Sequence, residues 1–187
     1  MFVRIDMEDS TTTQVTLDLW RRLRAEGYDN VGVVLQSYLR RTLHDARDVS
    51  GEGGSIRLCK GIYVEPREVA FQEYQLVRDS FVDAMEAILE SEKGYIGIAT
   101  HDDYLVFHGR RLVRKLNASK DRYEFQMLLG VDEQLRRLLV EEGHYLRGYV
   151  PYGEGWFGYS IRRLLENPLM AAHVVRNVLG MGPSEDS

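Results

Sequence analysis

The sequence predicts an α/β fold in which strands and helices alternate around a parallel sheet. Short runs rich in Val, Ile and Tyr, bounded by Gly, Asp or Asn, recur along the 187 residues, as expected of strands. Between these runs the apolar residues repeat with the period of a helix. Strands that alternate with helices form βαβ units, and these units build a parallel sheet.

Several of the predicted strands are almost continuously apolar, which is typical of parallel strands buried on both faces. The six runs are Phe2–Ile5, Val31–Leu35, Ile56–Cys59, Tyr95–Ala99, Tyr123–Leu128 and Tyr145–Val150. A (β/α)8 barrel of about 250 residues uses about 31 residues per unit, so this chain has the length of about six units. The pattern is therefore compatible with two folds, a barrel and a doubly wound sheet.

Apolar stripes at helical spacing predict helices between these strands. The stripes are Val15, Leu19 and Leu23, then Val77, Phe81, Ala84 and Ile88, then Leu135, Leu138 and Leu139. Asp102, Asp103 and Asp132 stand just ahead of helical patterns, so we expect them to act as N-caps.

Composition excludes several classes of protein. The net charge is −5 and the arginine pairs are dispersed, so the chain lacks the basic surface of a nucleic-acid-binding protein. No run of about 18 apolar residues could span a membrane. The single cysteine, Cys59, excludes an internal disulfide, and the histidine spacing indicates no metal site. We expect a cytoplasmic protein with one domain over residues 1–187.

Polar side chains lie in the last part of one predicted strand after another, or directly after it. They are Asp6, Glu8, Gln36, Arg57, Lys60, Thr100, His101, Glu124, Gln126 and Tyr149. Any one of them is typical of a loop boundary, but in a barrel the active site forms at these carboxyl ends. Because a buried cation costs several kcal/mol unless it meets an anion, Arg57 and Lys60 predict a phosphorylated cofactor or a carboxylate substrate.

The last helical segment places Tyr159, Arg162, Arg163 and Glu166 on one face, at i, i+3, i+4 and i+7. Asn167–Pro168 then ends or bends the helix. Two adjacent guanidiniums can bind a carboxylate while the glutamate orients them. Spacing alone leaves a second interpretation open. The four residues could form an exposed ion-pair face of the helix, which would contribute only about 0.3–0.5 kcal/mol to stability.

Taken together, these segments resemble the proline dehydrogenase family over essentially the whole chain. The resemblance is carried by Arg57–Tyr63 (RLCKGIY), Ala99–His101 (ATH), Tyr123–Gly130 (YEFQMLLG), Tyr149–Gly153 (YVPYG) and Tyr159–Pro168 (YSIRRLLENP). It is strongest with the shorter, single-function bacterial members. It implies a (β/α)8 barrel that is incomplete at its N-terminus, with strands 3 to 8 and the C-terminal helix, because family members have two strands before the one at Phe2.

The resemblance also implies an activity, the FAD-dependent oxidation of L-proline to Δ1-pyrroline-5-carboxylate. Reduced flavin would pass its electrons to a quinone, with the protein in the cytoplasm or at the inner face of the membrane. By the family's pattern, FAD would be bound by Gln36, Arg57, Lys60, Thr100 and His101, with Arg57 near flavin N5. Arg162 and Arg163 would bind the proline carboxylate with support from Glu166. The pocket would be completed by Tyr149, Tyr159, Leu128, Tyr63 and Asp6.

Three departures from the family's pattern stand out. Asp102 occupies a position where Asn is common, and Gly148 one where a larger apolar residue is usual. The third is that the two strands before Phe2, which include a substrate-binding lysine, are absent. We therefore expect the chain alone to be inactive and to hold little FAD, because its two terminal strands would be open edges.

Two alternatives to an active proline dehydrogenase remain at this point. One is a non-catalytic barrel fragment that needs the absent strands from elsewhere. The other is a different FAD barrel enzyme, such as a methylenetetrahydrofolate reductase. The segment that carries Arg162 and Arg163 argues against the second alternative, because paired guanidiniums suit a small amino-acid carboxylate.

Overall fold

The computed structural model describes residues 1–150 and 152–153. The chain divides into two compact units, Met1–Phe125 and Gln126–Ser187. In the described residues the strands are β1 (Val3–Ile5), β2 (Val31–Gln36), β3 (Ser55–Cys59), β4 (Tyr95–Ala99), β5 (Tyr123–Leu128) and β6 (Leu146–Tyr149). The helices are α1 (Thr13–Ala25), α2 (Thr42–Gly51), α3 (Tyr74–Glu90), α4 (Asp103–Lys115) and α5 (Glu133–Glu141). The predicted strands are confirmed to within one residue at each end.

In the first unit, β1 to β4 pair in chain order and every pair is parallel. The first half of β5 lies next to β4 in the sheet. The register places Gln36 opposite Cys59, so β2 and β3 end at the same level. This arrangement confirms the predicted α/β class and brings the carboxyl ends of these strands to one edge of the sheet.

The apolar stripe of α3 is confirmed, since Phe81, Ala84 and Ile88 are fully buried. The stripe predicted for α1 is wrong at Val15, which is 69% exposed while Trp20 is 1% exposed; Leu19 and Leu23 are half-buried. Trp20 has far more apolar surface to bury than Val15. The helix is therefore turned so that Trp20 faces the core, where its indole N–H donates to the Val31 carbonyl at 3.4 Å.

Two of the three predicted N-caps are confirmed. Asp102 caps α4, where its Oδ1 accepts from the Tyr104 N–H at 3.1 Å. Asp132 caps α5 in the same way through the Leu135 N–H. Asp103 is not a cap, because it is already the first residue of α4, and only one residue can occupy the position that precedes a helix.

The described part of the second unit contains the end of β5, then α5 and β6, with β6 beside β5. The Leu129 N–H donates to the Tyr149 carbonyl at 3.0 Å, which joins the ends of these two strands. A side chain at Gly148 would meet only the Arg136 guanidinium, at 4.0 Å. The space around Gly148 is therefore open, and nothing in the described residues requires glycine there. The predicted helix with Arg162 and Arg163 lies outside the described residues.

None of the helices in residues 1–150 is long and apolar enough to cross a bilayer.

Candidate cofactor-binding site

Side chains along β3 point to the two faces of the sheet in turn, and this alternation positions Arg57. Ile56 and Leu58 are fully buried, whereas Arg57, between them, lies on the opposite face and is half-buried. Its Nη1 is 3.8 Å from Oδ1 of Asp6, the residue that follows β1. Asp6 is 70% exposed at this contact, so water screens the ion pair and its contribution to stability is small. The contact nevertheless brings together two of the predicted site residues.

Gln36 ends β2 and is almost fully buried, at 4% exposure. Its Nε2 donates to the carbonyls of Met7 and Glu8, at 2.9 and 3.0 Å. Because both acceptors are carbonyl oxygens, the amide nitrogen must face them, and this fixes the orientation of the side chain. Its Oε1 is buried and has no hydrogen-bond partner among the described residues.

An unpaired buried acceptor costs about 1–3 kcal/mol. A ligand that donates a hydrogen bond to Gln36 Oε1 would remove this cost. The fully buried side chain therefore fits its predicted role in binding a cofactor, and it also holds the segment that follows β1.

Thr100 and His101 follow β4. Thr100 is buried, and its hydroxyl oxygen accepts from the Asp102 N–H at 3.1 Å. His101 is half-buried. The structure thus places both predicted residues beside Asp102, at the same edge of the sheet as Lys60.

Asp102 is the centre of a cluster that also contains Lys60, Tyr74 and Arg78. Its Oδ2 accepts from Tyr74 at 2.6 Å, from Arg78 Nε at 2.9 Å and from Lys60 Nζ at 3.1 Å. Its Oδ1 accepts from Arg78 Nη2 at 2.9 Å. Burial of the carboxylate alone would raise the pKa of Asp102, but the hydrogen bonds from Arg78, Tyr74 and Lys60 outweigh burial and hold that pKa well below its usual range.

Sequence reasoning missed Tyr74 and Arg78. They lie at i and i+4 at the start of α3, and this pairing of an aromatic and a cation on one helix face was the available signal. From the sequence, Asp102 was noted only as a departure from the family's pattern. In the structure its carboxylate forms an ion pair with Lys60, one of the predicted cofactor-binding residues.

The loop after β3 is tied to the loop after β1 by side chains. The Tyr63 hydroxyl donates to Glu8. The Ser10 N–H and hydroxyl donate to the two carboxylate oxygens of Glu65, at 2.6 and 2.8 Å. These contacts hold Tyr63, a predicted pocket residue, beside Glu8 in the segment that follows β1.

Two further predicted residues lie in the second unit. Leu128 is the last residue of β5 and Tyr149 the last of β6, and the strands are joined there. Tyr149 is 40% exposed. Four others, Tyr159, Arg162, Arg163 and Glu166, lie outside the described residues, so the carboxylate clamp stays a prediction.

Parallel strands with cations, an amide and a hydroxyl near their carboxyl ends define an α/β domain with a polar edge, and this is the edge where α/β barrels place their active sites. The sequence profile of the proline dehydrogenase family matches residues 1–176. The chain belongs to the proline dehydrogenase family.

Similar proteins agree with this assignment. The chain is 40% identical over 168 residues to proline dehydrogenase 2 of Bacillus subtilis (strain 168), an alignment that covers 90% of this chain and 55% of that protein. It is 39% identical over 179 residues to the proline dehydrogenase of Deinococcus radiodurans, covering 95% of this chain and 57% of that protein. The chain thus spans just over half the length of these curated relatives. The match does not favour the methylenetetrahydrofolate reductase alternative.

The fold is similar to that of a solved structure, proline utilization A (PutA) from Bdellovibrio bacteriovorus inactivated by N-propargylglycine. The TM-score is 0.80 at 27% identity, and the match covers 89% of this chain and 20% of that one. A second structure, of a bifunctional PutA protein, has a TM-score of 0.77 at 22% identity and supports the fold alone.

Proposed function

We propose that this chain forms the FAD-binding part of an enzyme that oxidises L-proline to Δ1-pyrroline-5-carboxylate. The observation that carries the proposal is the convergence of Gln36, Arg57 and Lys60 at one edge of the sheet, with the buried Gln36 Oε1 lacking a partner among the described residues. The names of the relatives supply the reaction, and the family membership supports it.

The residues at this edge fit a flavin dinucleotide. Such a cofactor has hydrogen-bond donors that suit Gln36 Oε1 and two phosphates that suit a lysine. When bound, FAD supplies the acceptor for a hydride from the proline carbon next to nitrogen. Arg57 would hold positive charge near the cofactor, which favours its electron-rich reduced form, and Asp6 would orient Arg57. Thr100 and His101 complete the proposed set of cofactor-binding residues.

The substrate side of the proposal rests on residues of the second unit and on the resemblance. Arg162 and Arg163 would bind the proline carboxylate, with Glu166 orienting them. By the family's pattern, the proline ring would be lined by Tyr149, Tyr159, Leu128 and Tyr63. An enclosed apolar pocket would exclude water from the hydride transfer. Electron transfer to a quinone, and contact with the inner face of a membrane, rest on the resemblance alone.

The reaction is tested by a flavin absorbance spectrum and a proline-dependent dye-reduction assay. Both are run on the chain alone and on the chain joined to the two strand–helix units that family members carry before β1. We expect the joined protein to be yellow and to reduce the dye only with proline. A folded joined protein that binds no FAD, or that binds FAD and is inert to proline, would contradict the proposal.

Replacement of Arg57 tests its place beside the cofactor. In the joined protein, we expect Arg57→Met to weaken FAD retention and to shift the flavin reduction potential to more negative values, because a positive charge that favours the reduced form is lost. Potentiometry and the FAD-to-protein absorbance ratio measure these effects. The control is Arg111→Met, which removes an exposed arginine of α4. An unchanged potential with full FAD occupancy would place Arg57 away from the flavin.

Replacement of Arg162 or Arg163 tests the carboxylate clamp. We expect Arg162→Met and Arg163→Met to raise the KM for proline about tenfold or more while FAD stays bound, because one charge-assisted bond to a carboxylate contributes about 1.5–3 kcal/mol. Steady-state kinetics in the joined protein measure the change. Wild-type KM values in both variants would rule out the clamp.

A further inference from the structure

We propose that Arg4 of β1 is a positioning residue that sets the place of the Asp6 carboxylate beside Arg57. Arg4 is hydrogen-bonded to the first residue of β3, two positions before Arg57, and Asp6 stands two positions after Arg4. The effect of Arg4 on the reaction rests on the proposed function, because Arg57 acts there on the cofactor. Its effect on Asp6 is a property of the described residues alone.

The sheet register places Arg4, Gly32 and Ser55 in one row across β1, β2 and β3. Because β2 lies between β1 and β3, the backbones of these two strands are roughly 10 Å apart, and only a long side chain spans that distance. The Arg4 Nη1 donates to the Ser55 carbonyl at 2.7 Å, and its Nη2 donates to Ser55 Oγ at 3.1 Å. The same Nη1 donates to the Val33 carbonyl of β2 at 3.2 Å. One guanidinium therefore ties β1 to both of the next two strands.

Gly32 leaves the space that this crossing needs. A Cβ at Gly32 would lie 2.6 Å from both Arg4 Nη1 and the Ser55 carbonyl oxygen, and 2.9 Å from Cζ of Phe2. A glycine inside an apolar strand is typical of such a close approach. The Phe2 ring also lies 5.0 Å from the central carbon of the Arg4 guanidinium. A guanidinium bonded to three acceptors beside an aromatic ring has few alternative rotamers.

The ion pair between Asp6 and Arg57 is too weak to determine where β1 lies. Its two atoms are 3.8 Å apart and Asp6 is 70% exposed, so water screens the attraction. Side chains two positions apart on a strand share a face, so Asp6 follows Arg4 on the face that carries Arg57. Gln36 binds the two carbonyls that come after Asp6. The place of Asp6 is therefore set by Arg4 on one side and by Gln36 on the other.

Loss of Arg4 acts on the cofactor through Asp6 and Arg57. Without the tie to β3, the segment with Asp6 moves away from Arg57, and the Arg57 guanidinium then takes other orientations. In the proposed function this cation favours the reduced form of the flavin, so a less ordered Arg57 lowers the flavin reduction potential. Arg4 itself lies two residues further from the carboxyl edge of the sheet than Arg57 does.

Hydrogen exchange of the joined protein without FAD, measured by mass spectrometry, tests the placement of Asp6. We expect Arg4→Met to reduce the protection of the amides of residues 5–8 about tenfold, because a charge-assisted hydrogen bond is lost. Arg4→Lys keeps the charge and should restore part of the protection. The control is Arg122→Met, since Arg122 is also half-buried and donates to main-chain carbonyls, at the end of α3 and before β4. It should leave the local protection of residues 5–8 unchanged. Equal protection in Arg4→Met and the unmodified protein overturns the proposal.

Flavin reduction potentials separate a positioning role from a merely structural one. In the joined protein with FAD bound, Arg4→Met should shift the potential to more negative values, as expected of Arg57→Met, and Arg122→Met should not shift it. In an Asp6→Ala background, Arg4→Met should add little or no further shift, because Arg4 acts through Asp6. An equal shift in both backgrounds, or no shift in either, overturns the proposal.

The two measurements distinguish failure of this inference from failure of the proposed function. If the joined protein folds but holds no FAD, the proposed function is wrong, and hydrogen exchange alone decides whether Arg4 places Asp6. If FAD binds and the exchange changes while the potential does not, Arg4 is only structural and the inference is overturned. Circular dichroism establishes that each variant is folded. Where Arg4→Met does not fold, Arg4→Gln takes its place in both measurements, because it can still donate a hydrogen bond but lacks the charge.

Discussion

Replacement of Asp102 by alanine is expected to lower the free energy of unfolding by about 3 kcal/mol. The change leaves Lys60 and Arg78 close together without the carboxylate that both contact, and removing one partner of a buried ion pair costs about 3–5 kcal/mol. It also removes the N-cap of α4, which costs about 1 kcal/mol. The partial exposure of both cations reduces the ion-pair part of the sum. Urea unfolding followed by circular dichroism measures the loss.

The neighbouring residue provides a matched control. Asp103 has the same side chain, is exposed and occupies the first turn of α4, where a carboxylate contributes about 0.5 kcal/mol through the helix dipole. We therefore expect Asp103→Ala to change stability by about that amount. Equal losses for Asp102→Ala and Asp103→Ala would show that the cluster does not stabilise the fold.

The pH dependence of the same residue follows from its lowered pKa. A carboxyl whose folded pKa lies below its unfolded value of 3.8 stabilises the protein above that value, and this contribution is lost as pH falls toward the folded pKa. The stability difference between the unmodified chain and Asp102→Asn should thus be constant from pH 7 to about pH 5 and shrink below about pH 4. A difference that persists unchanged at pH 3 would mean that the charge of Asp102 is not its source.

Replacement of Gly61 by alanine is expected to destabilise the protein by about 3 kcal/mol. Gly61 has φ +92°, and a Cβ there would lie 2.2 Å from Cδ1 of the buried Tyr38. The backbone conformation costs about 1 kcal/mol for a residue with a Cβ, and overpacking adds about 1–3 kcal/mol. Tyr38 must move, and with it the loop that carries Tyr63. Thermal unfolding measures the loss, and quenching of tyrosine fluorescence reports the altered loop.

Replacement of Gly27 measures the backbone cost without the overpacking cost. It has φ +93°, almost the same as Gly61, but a Cβ there meets nothing within 4 Å. Gly27→Ala should therefore cost only the backbone part, about 1 kcal/mol. If the two variants lose the same stability, the contact between Gly61 and Tyr38 is not tight.

The strands were predictable because their signals are local. A run such as Tyr95–Ala99 is apolar, β-branched and bounded by turn residues, and each of these features can be read within a few positions. The face of α1 was not predictable in this way. Val15 and Trp20 are both apolar, and only the packing of the helix on the sheet decides which is buried.

The candidate site shows the same limit. Gln36 and Lys60 were found because polar residues at the ends of apolar strands are visible in the sequence, and Arg57 because it is a cation within such a strand. The contacts between them were not, since Lys60 and Asp102 are 42 positions apart and Tyr63 and Glu8 are 55 apart. Such pairs are defined by the sheet register, which the sequence pattern leaves open.

The orientation of the Gln36 amide restricts what can bind beside it. Both hydrogens that point into the fold are used by the carbonyls of Met7 and Glu8, so the side chain can offer a ligand only an oxygen. A ligand atom at that position must therefore bring its own hydrogen, as an imide N–H or a hydroxyl does. An aromatic ring of the same shape with a bare nitrogen or carbonyl there would be repelled. Discrimination between such rings is thus set by two main-chain oxygens that the ligand never touches.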